Sequence, residues 1–64
     1  MTRIEQHKII ELLADYSHKM KGRDLDDFDM MRKRDRDDEE LDQITRRRMT
    51  ELYVQFVPER FRLY

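Results

Sequence analysis

The sequence predicts an all-α fold: a helical hairpin of two long helices, assembling with further copies into a four-helix-type bundle. Three observations carry this expectation. Apolar residues recur at spacings of three and four, the period of a helix face and not of a strand. Good helix formers (Leu, Met, Arg, Lys, Glu and Gln) dominate the chain. Gly22 and Pro58 are its only strong breakers.

The first helix is expected over about 3–21. Ile9, Leu13, Tyr16 and Met20 recur at helical spacing, joined by Ile10 and Leu12. Lys19 and Lys21 would sit in the last turn, where cations complement the helix dipole. Gly22 then offers the left-handed residue that commonly follows a helix. The turn is placed at 22–24, with Asp24 as N-cap and Asp26 and Asp27 supplying first-turn charge.

The second helix is expected over about 25–57, with an interruption allowed around 33–39. Leu25, Phe28 and Met31 open its apolar side. From Arg32 to Glu40 no apolar residue occurs. As helix, this run would pair Lys33 with Asp37, Arg34 with Asp38 and Arg36 with Glu40, each worth about 0.2–0.5 kcal/mol. As a charge run it reads as solvated surface, helix or loop. Periodicity returns with Leu41, Ile44, Met49, Leu52, Tyr53 and Phe56. Pro58 ends the helix, because the residue before a proline is driven out of the helical region. The tail, 58–64, carries Phe61, Leu63 and Tyr64, more apolar bulk than an unpacked tail normally bears.

Size argues for association. A domain of 64 residues buries only about 60% of the surface its unfolded chain exposes. With no cysteine, disulfides and thiolate metal sites are excluded as staples. The apolar arc of the first helix spans roughly 160° on a wheel of about 100° per residue, wider than one neighbour covers. An antiparallel first helix would face the charged run and leave Met49 to Phe56 uncovered. Either the charged run breaks and the last helix folds back, or the end of a long helix is buried in another chain. An unbroken helix would also put Asp35, Asp38, Asp42 and Thr45 on the seam, where they cannot be buried unpaired.

Charge bounds the function classes. Fourteen basic and fifteen acidic residues nearly cancel, for a net charge of −1. That balance argues against nucleic acid or an anionic membrane as the main partner. No run approaches the roughly 18 apolar residues of a membrane span, and the N-terminus lacks a secretory apolar core, so a cytoplasmic protein is expected.

Candidate sites are weighed in turn. His7, Glu11, Asp15 and His18 fall within about 80° of one another, but nearly opposite the apolar arc. A polar solvent face is the favoured reading over a metal site, and no metal is expected. Arg46, Arg47 and Arg48 point in three directions on a helix and make no coherent basic face. A nucleic-acid reading would use Lys33, Arg34, Arg46 and Arg47. Asp24 to Asp35 has the acid density of a calcium loop but lacks the mid-loop glycine and the terminal Glu. Ser17 is the sole serine and there is no glycine-rich loop, so nucleophilic and phosphate-cradling chemistry lack their parts. No catalytic residue and no cofactor is expected. The expected function is a homo-oligomeric protein-interaction module, most simply a dimer, that also binds another protein. Its contact residues are expected to be Phe28, Met31, Met49, Leu52, Tyr53, Phe56, Phe61 and Tyr64.

Overall fold

The computed structural model describes residues 2–62. Among these the chain forms three α-helices and no strand, each helix packed against the other two. Helix α1 spans Arg3–Ala14, α2 Arg23–Arg36 and α3 Gln43–Phe56, with single 3₁₀ turns at Ser17–Lys19 and Glu59–Phe61.

Thr2 starts α1 by accepting a hydrogen bond from the Glu5 amide at 3.1 Å, while its hydroxyl reaches the Glu5 carboxylate at 3.3 Å. This is a form of capping box, satisfying an end donor that the helix cannot. The buried face of α1 is Gln6, Ile9, Ile10 and Leu13.

The helix stops at Ala14, not near residue 21. Asp15 and Tyr16 close it with bonds to carbonyls three residues back, and the Ser17 hydroxyl donates to the Ala14 carbonyl at 2.9 Å. Met20 is then extended and buried. Shortening α1 to 12 residues matches it to two 14-residue partners, and Met20 is added to the core from the connection. Gly22 has φ +56° and ψ −126° and precedes α2 as its N-cap position. That conformation is open to glycine and strained for any residue with a Cβ. It lies outside the left-handed helical well expected for a helix-closing glycine. Asp24, expected to cap, lies inside the first turn of α2 and bonds to Arg48 instead.

The interruption allowed around 33–39 occurs at 37–42, so the expected second helix is two helices. Helix α2 ends in a Schellman motif: the Glu39 amide donates to the Arg34 carbonyl at 2.9 Å and the Asp38 amide to Asp35 at 3.1 Å. Asp38 supplies the positive φ, +67°, that this turn requires. The expected pairs four residues apart give way to pairs that staple the break. Arg3 reaches Asp38 at 2.6 Å, Arg34 reaches Asp42 at 3.6 Å and Arg46 reaches Glu40 at 4.0 Å. Asp42 caps α3 by accepting from the Thr45 amide at 2.7 Å. That bond and the charge of Arg34 hold the Asp42 carboxyl below the usual range.

Three helices in one chain replace the two-helix hairpin. The break lets α3 fold back, so that Ile9, Ile10, Leu13, Met20, Phe28, Met31, Leu41, Met49, Leu52, Tyr53 and Val57 form one core. Arg48 clamps α3 to α2 by donating to Asp24 and, at 2.8 Å, to Asp27. These two acceptors hold its guanidinium pKa above its ordinary value. After Pro58 the chain turns back on α3, where Arg62 donates to the carbonyls of Val54 at 3.0 Å and Val57 at 3.2 Å. No helix among the described residues is long and apolar enough to cross a membrane.

Candidate interaction surface

Met49 is fully buried near the middle of α3. At about 100° per residue, the direction opposite Met49 points straight out of the fold. Arg47 and Glu51 lie within about 20° of that direction, Ile44 and Val54 within about 40°, and Gln43 and Gln55 within about 60°. All six are exposed. Ile44 is 83% and Val54 56% exposed, although both are aliphatic. A shallow depression lined by Gln43, Arg47, Thr50, Glu51 and Val54 runs along one side of this face, and Ile44 borders a separate one with Arg23 and Arg48. The helix is therefore two-sided, with core on one side and a mixed stripe on the other. The stripe is apolar above and below a central Arg–Glu pair.

A second polar constellation joins α1 to the α2–α3 break. Gln6, 2% exposed, donates from Nε2 to Asp35 at 3.2 Å and to the Glu39 carbonyl at 3.4 Å. Its Oε1 accepts from the buried Leu41 amide at 3.2 Å. Beside it His7 presents Nδ1 to Asp35 at 2.6 Å and Nε2 to Glu11 at 2.9 Å. The hydrogen bond and charge of Asp35, with Glu11 adding, raise the His7 pKa above 6.5. As imidazolium the ring donates to both carboxylates. This cluster is a structural clamp, since its acceptors and donors are spent on one another.

Compared with known protein families, curated proteins and solved structures, the chain matches none.

The structure places the sequence-expected residues as follows. Phe28, Met31, Met49, Leu52 and Tyr53 lie in the chain's own core, so this fold covers them without a partner. Phe56 is half-buried against that core. Phe61 is 51% exposed, with the Arg60 guanidinium 4.9 Å from its ring centre. Tyr64 lies outside the described residues. Of the four cations in the nucleic-acid reading, Arg34 faces Asp42, and Arg46 donates to the Leu41 carbonyl and lies near Glu40. Lys33 and Arg47 enter no ion pair among the described residues, and they stand on different helices. Of the four potential metal ligands, His7 and Glu11 pair with each other, while Asp15 and His18 lie past the end of α1. Among the described residues no group of three His, Asp or Glu side chains is arranged so that it could hold a metal ion.

Two features were within reach of the sequence. Gln6 falls at the centre of the Ile9, Ile10 and Leu13 face on a helical wheel, which marks it as buried. Ile44 and Val54 fall more than about 90° from the mean direction of Met49, Leu52, Tyr53 and Phe56, so Ile44, grouped with that stripe on its spacing, points away from it and is exposed.

Proposed function

We propose that this chain is a non-enzymatic helical interaction module, an adaptor, assembly or regulatory protein that acts as a homo-oligomer in the cytoplasm. One observation carries the reading: Ile44 and Val54 are exposed on the same outward side of a helix whose other side is core. Single exposed aliphatics are ordinary. Two on one stripe, flanked by uncharged Gln43, Thr50 and Gln55, suit a surface that is covered part of the time. Met49 and Leu52 lend it no support, because the chain itself shields them. Nor does it need the long-helix hairpin. Packing α3 of one copy on α3 of another would still bring helices together in bundle fashion.

The test is mass in solution across a concentration series, by sedimentation equilibrium. A mass that rises towards twice that of one chain supports the reading, and a monomer up to millimolar concentration overturns it. A parallel titration with DNA and RNA at low salt addresses the rival. Tight binding that collapses steeply with added salt would assign the exposed arginines to phosphate contacts instead.

A further inference from the structure

Taking self-association as proposed above, the chemistry of the α3 stripe also fixes how two copies meet. We infer that two copies pair through the outer faces of α3 in antiparallel register, about a two-fold axis at the level of Met49. In an antiparallel helix pair, residues equidistant from the axis along each helix come level with one another. The stripe matches itself when inverted this way. Arg47 comes level with Glu51 of the second copy, Ile44 with Val54, and Gln43 with Gln55. Because the axis is two-fold, every such pair occurs twice, as an isologous interface requires. The result is two opposite-charge pairs at the centre, with Ile44 and Val54 level beyond them beside the seam and the Gln43 and Gln55 amides on its opposite flanks.

Charge selects this arrangement over its alternative. A parallel pair would set Arg47 against Arg47 and Glu51 against Glu51, and like charges placed together across an interface are disfavoured. Neither central residue is committed elsewhere in a way that forbids the pairing. Arg47 enters no ion pair among the described residues, and Glu51, 59% exposed, lies 3.5 Å from Arg48 on its own helix. Helix α3 has 14 residues, so the contact is about 21 Å long. Stable complexes bury about 1,200–2,000 Å² in all, and one short helix pair falls at or below that range. The dimer is therefore weak and concentration-dependent.

The experiment is charge exchange, read by sedimentation equilibrium on the full chain, with circular dichroism confirming helix content. Arg47→Glu alone and Glu51→Arg alone each replace opposite charges with like ones. Each is expected to weaken dimerisation by about tenfold or more. The double variant restores the pairing with its signs reversed and is expected to return to within about threefold of the parent. Glu51 also neighbours Arg48, so a second layer reads the same register independently. Ile44→Glu and Val54→Lys each abolish association, and together they restore it. A parent that dimerises with no rescue by either double variant overturns the antiparallel register and leaves self-association standing. A parent that stays monomeric overturns both.

Discussion

His7 and Asp35 meet across the packing of α1 on α2, with Nδ1 2.6 Å from Oδ2, and the Asp35 side chain is only 7% exposed there. The other Asp35 oxygen accepts from Gln6. One carboxylate thus receives two neighbouring side chains of α1, and it sits at the end of α2 where the chain must leave the helix. The contact links a local event, the termination of α2, to the placement of α1.

Stability should therefore depend on pH through His7. Its folded pKa is raised above 6.5, first by the Asp35 hydrogen bond and then by the Asp35 charge. Desolvation opposes protonation, but the carboxylates of Asp35 and Glu11 outweigh it. A group with a raised folded pKa stabilises fully below its unfolded value and loses that contribution as pH rises through the folded value. The thermal midpoint is expected to fall as pH rises from below 6.5 to above the raised value. His7→Gln should flatten that fall, and a variant with the parental slope would show that the pairing contributes nothing.

Gln6 makes the opposite of the usual hydrophobic argument. Gln6→Leu puts an aliphatic side chain at a buried position, yet it strands the Leu41 amide and removes donors from Asp35 and Glu39. Each buried group left without a partner costs about 1–3 kcal/mol. Urea unfolding should show a loss of at least about 1 kcal/mol. A neutral or stabilising result would mean that water enters the break and replaces the amide.

Asp38 carries the positive φ of the Schellman turn. A left-handed conformation costs roughly 1–2 kcal/mol for residues with a Cβ, somewhat less for Asp. The pair with Arg3 is worth little, since the Asp38 side chain is 91% exposed. Asp38→Gly is expected to raise stability by up to about 1 kcal/mol, and Asp38→Ala to lower it. Finding Ala above Gly in thermal midpoint would refute this account of the break.

The two sides of α3 should answer differently to truncation. Met49→Ala opens the centre of the core at a cost of about 2–5 kcal/mol. A chain of this length holds roughly 3–10 kcal/mol in total, so the variant should be partly or wholly unfolded at room temperature. Val54→Ala, on the outer face, should change the stability of dilute protein by less than about 0.5 kcal/mol. Equal effects at both positions would contradict the orientation of the helix.

The sequence by itself determined the helical class, the identity of most core residues and the boundaries marked by local chemistry. Gly22 before α2 and Pro58 after α3 act within a few residues of themselves, and the periodicity of Ile9, Leu13, Met49 and Leu52 is a property of each segment alone, whereas no local signal marked the end of α1 at Ala14. The tertiary structure decided where the charged run breaks. Asp37 and Asp38 carry no breaker signal, and the helix-compatible pairs Lys33–Asp37 and Arg34–Asp38 argue for continuing. The break is held by Arg3, Gln6 and His7, about thirty residues away in sequence, together with the burial of Leu41. Such contacts exist only once α1 is in place. The same event decided which apolar residues are spent in the core, because only a broken helix returns Met49 and Leu52 to α1 and leaves Ile44 and Val54 facing outward.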